Sequence, residues 1–240
     1  MAQQAAITRS VLSEQVKGRL LQAILDGRYP PGARIVETRV AREFGTSQAP
    51  VREALRDLEA LGVVENSPFR GARVRHPSIE QLLEAFEVRT VLEKHGASLA
   101  LQSVTAEDFE VLEGYIEQMR RSAEAGDPYA EASADAAFHS HVMHLSGNAT
   151  LERVWRTLEP FLRTYITIAS AGVDRRAIAD RHTPLVEALR KGDPNDVQAA
   201  LEYHFEQAAQ SLARVWVDPD TSERAAAPPA IGTAVLESAG

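Results

Sequence analysis

Four side chains in the second half of the chain have the types and spacing of a metal site. Asp135 and His139 stand four residues apart in a helical stretch, so they share one face with Cβ atoms roughly 5–6 Å apart. His182 begins a later helical segment and His204 lies inside the last one. Three imidazoles and one carboxylate, drawn from three helices, can converge on a divalent ion inside a bundle. Imidazole suits zinc, nickel, copper or iron, and the carboxylate also admits manganese. His141 and His144 fall about 160° and 140° around the helix from His139, at ~100° per residue, which turns them away from that centre. Spacing alone leaves the site open. An Asp and a His four apart arise often by chance, and a single His on a helix is commonly a surface or core polar residue.

A different chemistry is written near the start. Gln48, Arg52 and Arg56 follow an i, i+4 row on one face of a helical stretch, while Val51, Leu55 and Leu58 occupy another. Ser47 is placed to cap that helix, and Pro50 is tolerated because the first turn needs no intrahelical N–H bond. Gln and Arg read base edges in the major groove, and hydroxyls and N–H groups at a helix start hold phosphates. Residues 66–71, Asn-Ser-Pro-Phe-Arg-Gly, read as a hairpin tip carrying Arg70. Taken alone, Arg52 and Arg56 could equally be solvated charges paired with Glu53 or Glu59, and Gly71 a simple turn residue.

The elements that must carry these groups fall into two modules. Val11, Leu12, Val16, Leu20, Leu21, Ile24 and Leu25 have helical spacing over residues 11–26, with Ser10 as cap and Gly27 as stop. A Pro30-Pro31-Gly32 turn leads to a short strand at Arg34-Ile35-Val36, a two-turn helix over 37–44, the helix from Ser47 to Leu61, and strands at 63–65 and 72–74. That order reads as a winged helix-turn-helix over 9–76. Ser78 is placed to cap the next helix. Helical periodicity then runs almost unbroken, with helices expected at 79–101, 106–125, 128–146, 148–170, 174–191 and 194–216. One of the breaks is at Gly172. Short connections imply antiparallel neighbours in an all-α bundle over 79–216. The Ala-, Pro- and Ser-rich residues 217–240 read as a flexible tail.

Bulk properties agree. A 240-residue chain with 44% apolar and 25% charged residues allows one or two domains with a real core. The net charge of −8 is unevenly spread. Residues 1–76 hold 12 Lys and Arg against 8 Asp and Glu, and residues 77–240 hold 14 against 26. A basic front and an acidic back suit different partners, nucleic acid being the commonest for the former. Cysteine is absent, which excludes disulfides, thiolate metal sites and thiol catalysis. No apolar run approaches a membrane span, and the first ten residues lack a secretory pattern, so a cytoplasmic location is expected.

Residues 9–76 resemble the DNA-binding domain of the GntR family of bacterial transcription regulators. The resemblance is carried by Ile24-Leu25-Asp26-Gly27, Pro31-Gly32, Glu37, Ala41, Gly45-Thr46-Ser47, the run Pro50-Val51-Arg52-Glu53-Ala54-Leu55, Leu58, Gly62 and Arg70-Gly71. It implies that Ser47, Gln48 and Arg52 contact operator DNA, with Arg70 and Gly71 at the wing tip. The family commonly has Arg where this chain has Gln48. Gln favours adenine and Arg guanine, so a different half-site is implied, or a phosphate contact only. Residues 79–212 resemble the FCD ligand-binding domain of the FadR branch. Here the residues are Val88-Arg89, Leu92-Glu93, Asp135, Phe138-His139, Ser146-Gly147-Asn148, His182, Gly192-Asp193 and His204. The resemblance implies that Asp135, His139, His182 and His204 bind a metal, often zinc, below an effector pocket, with nickel or manganese as alternatives. It implies that Arg89 grips an effector carboxylate. Asn148 is a weaker pocket candidate whose alternative role is to cap a helix. Pro184 bears on the transfer, because a helix beginning well before it would kink and move His182.

The expected protein is therefore a homodimeric transcription regulator, a repressor, that binds double-stranded operator DNA and senses a small organic acid, and is not an enzyme. Two rivals remain: a metal-dependent hydrolase of a carboxylate ester or lactone with a fused DNA-binding module, and a DNA-binding protein whose bundle holds no ligand.

Overall fold

A computed structural model describes residues 2–67, 71–169 and 174–216. The first module opens with α1 (Ala2–Leu25), β1 (Arg34–Ile35), α2 (Glu37–Glu43) and α3 (Gln48–Ala60), and closes with β2 (Val64–Ser67) and β3 (Gly71–Val74). Its helices bury the apolar face that the sequence marks out. Val16, Leu20 and Ile24 of α1 meet Val40 of α2 and Val51, Leu55 and Leu58 of α3 in one core. The strands form an antiparallel sheet in the order β1-β3-β2, with Arg34 opposite Arg73 and Val64 opposite Val74. The Pro-Pro-Gly turn is tied to this sheet by Gly32 N–H donating to the Val74 carbonyl at 2.9 Å.

Some local expectations are corrected. α1 begins at Ala2, so Ser10 lies inside it rather than capping it. The preceding Ala- and Gln-rich residues are good helix formers with no breaker among them. β2 extends through Asn66 and Ser67, which were expected in the hairpin tip. Glu59 holds Asn66 through its backbone N–H (3.2 Å) and its Nδ2 (2.8 Å), which keeps the strand in register. Gly71 opens β3 at φ 76°, a left-handed conformation that suits glycine at the wing.

The second module is all helical: α4 (Ile79–Ala100), α5 (Ala106–Ala125), α6 (Pro128–Leu145), α7 (Ala149–Ala169), α8 (Arg175–Asp180), α9 (Thr183–Lys191) and α10 (Pro194–Val215). Ser78 caps α4 in a reciprocal pair with Gln81, and Thr105 does the same for α5 with Asp108. Leu82, Phe86, Leu112, Ile116, Met119, Phe138, Leu185, Leu201 and Phe205 form the bundle core. The single helix expected over 174–191 is instead α8 and α9, separated at Arg181-His182. Pro184 is the reason: it has no N–H to give to the carbonyl four residues back, and its ring crowds that carbonyl. Placed in the first turn of α9, it costs little. Arg120 of α5 spans the break, its Nε on Asp180 Oδ1 at 2.7 Å and its Nη2 on Thr183 Oγ1 at 3.4 Å. No helix of the described residues is long and apolar enough to cross a membrane. The expectations for Gly172 and for a flexible tail over 217–240 lie outside the described residues.

The modules meet at the linker. Tyr165 of α7, fully buried, donates its hydroxyl to the Arg75 carbonyl at 2.7 Å. Trp216, just past α10, donates its indole N–H to the Pro77 carbonyl at 3.1 Å and packs edge-on against His76 and Tyr165. Tyr165→Phe takes this donor from a partly buried carbonyl, and should cost about 1 kcal/mol in urea denaturation.

Candidate metal centre and nucleic-acid interface

Three histidines arrive at one point in the bundle by three routes. α6 delivers His139 one turn after Asp135, the α8–α9 break delivers His182, and the middle of α10 delivers His204. All three imidazoles are buried, and one ring nitrogen from each lies within 4.8 Å of the others. His139 and His182 face each other through Nε2 at 3.3 Å. Asp135 Oδ1 is 3.1 Å from His182 Nε2 and 3.9 Å from His139 Nε2.

The far side of each ring is tethered. His139 Nδ1 lies 2.6 Å from Glu93 Oε2. His182 Nδ1 lies 3.1 Å from the Ile178 carbonyl, and His204 Nδ1 is 3.4 Å from the Arg181 carbonyl. Those partners only accept, so with an ion at the centre each Nδ1 would keep its proton and each Nε2 lone pair would face the ion. Burial also favours the neutral ring. It pushes His139 below its ordinary value, and it pushes His204 well below with the help of the neighbouring imidazoles. Burial acts to raise the Asp135 carboxyl, but the His182 hydrogen bond and the adjacent His139 outweigh it and hold Asp135 well below the usual range. Three imidazoles around one ionised carboxylate make a donor set that fits a divalent metal.

Glu93, fully buried, is the hub behind the site. Besides His139, it accepts Arg89 Nε at 2.6 Å and the Trp155 indole N–H at 2.7 Å. Burial would raise this carboxyl, but His139 and Arg89 hold it down at about 2. Arg89 also packs over the rings of Trp155 and Phe205, 5.7 and 5.1 Å from their centres.

A cleft of about 550 Å³, counted to its open mouth, lies over the histidines. Asp135, His139, His182 and His204 form its floor with Arg89, and Arg181 joins the lining. Asn148 is not among the lining residues. Its Oδ1 accepts the Leu151 N–H at 3.1 Å and caps α7, the alternative role expected for it. His141 is paired with Asp108 at 3.0 Å, and His144 is exposed beside Glu152, so neither joins the centre. Sequence reasoning gave Glu93 and Arg181 no role. Glu93 had a detectable signal, because it stands i+4 from Arg89 on one helix.

At the other end of the chain, Ser47, Gln48, Arg52 and Arg56 are exposed on α3. Ser47 occupies the N-cap position but makes no side-chain cap bond, which leaves its hydroxyl and the first N–H groups of α3 outward. Arg52 is aimed rather than loose: Nε donates to Glu37 Oε2 at 2.6 Å, and Nη2 to Gln48 Oε1 at 3.3 Å. Its partner is thus neither Glu53 nor Glu59. Gly71 lies at the start of β3, and Arg70 falls outside the described residues.

Comparison with known proteins fits both halves. The family model for bacterial regulatory proteins of the gntR family matches residues 12–74, and that for the FCD domain matches residues 84–207. A probable D-xylose utilization operon transcriptional repressor of Paenarthrobacter nicotinovorans is 37% identical over 198 residues, covering 82% of this chain and 87% of that protein. A gluconate operon transcriptional repressor of Bacillus licheniformis is 22% identical, covering 88% and 89%. The solved structure of E. coli McbR/YncC superposes with a TM-score of 0.74 at 24% identity, covering 85% of this chain and 97% of that one, and so shares the fold. A helix-turn-helix with an exposed Gln-Arg row, joined to a helical bundle and matched along its length by such relatives, places the chain in the gntR family of bacterial regulatory proteins, as a transcription regulator carrying an FCD domain.

Proposed function

We propose that this regulator acts as a homodimeric repressor whose operator affinity is set by a small carboxylate bound over a divalent metal in the bundle. The observation that carries this reading is the buried His139–His182–His204 cluster with Asp135 at the floor of an open cleft. Those four residues would hold the ion, and zinc, nickel and manganese all suit the mixed nitrogen and oxygen donors. A divalent ion bound there supplies a Lewis-acidic position for a carboxylate oxygen. Arg89, its charge balanced by Glu93, lines the same cleft and would add guanidinium N–H groups toward the ligand. A two-fold dimer presents two α3 helices to a palindromic operator, with Ser47, Gln48 and Arg52 toward the major groove and Arg70 and Gly71 at the wing. The relatives named as repressors support the sign of the regulation.

The coupling route follows from α10. Leu212 and Val215 line the cleft, and the next residue, Trp216, grips the linker at Pro77. A ligand that shifts the last turn of α10 therefore shifts the attachment of the DNA-binding module, with a coupling of ~1–3 kcal/mol.

Binding of the full chain to the DNA upstream of its own coding region, followed by fluorescence anisotropy across a salt series, tests the reading. The logarithm of affinity should fall linearly with the logarithm of salt concentration. Arg52→Ala should weaken specific binding about 10- to 100-fold, the effect of losing one base-reading side chain. It should leave the fold intact, because Arg52 is exposed. Salt-insensitive binding, or none, would sink the proposal.

A further inference from the structure

We infer that the cleft selects a dianion, a short dicarboxylate with an apolar spacer, and that Arg181 is the residue that reads the second carboxylate. This rests on the metal-site reading above and deepens it. The charges on the cleft floor do not cancel with one carboxylate. Arg89 and Glu93 compensate each other at 2.6 Å. Asp135 offsets half the charge of a divalent ion, which leaves one positive charge there. Arg181 adds another. It lines the cleft and is half-buried, yet no carboxylate of the described residues lies within ion-pair distance of it. Its nearby acids are already engaged: Asp135 with His182, and Asp174 with the Ala177 N–H as the cap of α8. Two uncompensated positive charges in a partly desolvated cleft favour a ligand with two negative ones.

The position of Arg181 is fixed by the same centre. Its carbonyl accepts from His204 Nδ1 and its N–H donates to the Ala177 carbonyl, so the root of the side chain is pinned beside the ligand set. A guanidinium so rooted offers a paired donor edge that matches a carboxylate. The walls between are apolar: Phe86, Ile178, Phe205, Leu212 and Val215. Ser211 also lines the cleft, but its hydroxyl proton is given to the Gln207 carbonyl at 2.7 Å. A polyhydroxylated acid would leave hydroxyls without partners against these walls, which is costly. A methylene spacer would not.

Titration calorimetry on the metal-loaded full chain, with succinate, glutarate, butyrate, gluconate and inorganic phosphate as probes, tests the inference. Succinate or glutarate should bind about 10- to 100-fold more tightly than butyrate, the contribution of one charge-assisted pair. Arg181→Gln should abolish that preference while metal content and butyrate affinity stay unchanged. Equal affinity for butyrate and the dicarboxylates overturns it, as does a preference that survives Arg181→Gln. Tighter binding of gluconate overturns the apolar-spacer class, and tighter binding of phosphate assigns the dianion to a compact single group. Metal-dependent binding of butyrate with no dicarboxylate preference fails this inference alone. Acid binding that is the same with and without metal, or no binding of any acid, fails the metal-linked reading beneath it as well.

Discussion

His139→Ala should take bound divalent metal from about one ion per chain to almost none, as counted by inductively coupled plasma mass spectrometry on purified protein. His139 sits at the middle of the cluster, 3.3 Å from His182 through Nε2, and its other nitrogen is the link to Glu93. Removing it deletes one donor and also strips Glu93 of the donor that points from the site, so the remaining ligands lose both a neighbour and a brace. Asp135→Ala should give the same loss by a different route, because it removes the one carboxylate that offsets the ion's charge. His141→Ala is the control. It lies two residues from His139 but is paired outward with Asp108, so its metal content should stay at the wild-type level. A ligand that binds only the folded chain raises stability by about 2.7 kcal/mol at one hundred times its dissociation constant. Wild type should therefore gain thermal stability on metal addition, and His139→Ala should not. Loss of metal should also erase the effect of any effector on DNA binding, while effector-free operator binding persists through α3. Wild type that takes up no metal, or His139→Ala that keeps it, would refute the centre.

Much of this arrangement was legible from local signals. The core face of α3, the Pro-Pro-Gly turn and the Ser78 cap each depend on residues within a few positions of one another. The gathering of Asp135, His139, His182 and His204 was only possible from spacing and became a concrete expectation through family resemblance, since nothing local says that three distant helices meet. The α8–α9 break shows the limit from the other side. Periodicity runs straight across residues 174–191, and only the missing N–H of Pro184 divides it. Glu93 was harder still. Its partnership with Arg89 is a local i, i+4 pair, but its bonds to His139 and Trp155 cross 46 and 62 positions. Those bonds exist only because α4, α6 and α7 pack together. Arg181 carries no local signal at all; it joins the cleft because the helix break turns its neighbour His182 into the bundle.

Glu93→Ala is expected to be the most destabilising single change in the second module, by about 3–5 kcal/mol. The carboxylate is fully buried, and three donors converge on it from Arg89, His139 and Trp155. Alanine leaves the buried Arg89 guanidinium without its counter-charge and removes the acceptor of the Trp155 indole N–H. It also frees the His139 ring to rotate or change tautomer. Glu93→Gln separates charge from shape. With its amide oxygen in the place of Oε1 it still accepts from Arg89 and Trp155, but its NH₂ then faces His139 Nδ1, so the cost should fall between wild type and Glu93→Ala. Metal affinity should fall about 10- to 100-fold, the usual effect of losing a partner behind a ligand. The paired replacement Arg89→Met with Glu93→Leu supplies the decisive comparison. A buried ion pair exchanged for apolar groups of similar volume is often neutral or stabilising, so this double variant should recover most of the stability in urea denaturation. It should nonetheless bind metal weakly, because His139 has lost the acceptor that orients it. Recovery of both properties would mean that Glu93 serves only to neutralise Arg89. Recovery of stability without metal affinity would establish Glu93 as the group that positions His139 for its ion.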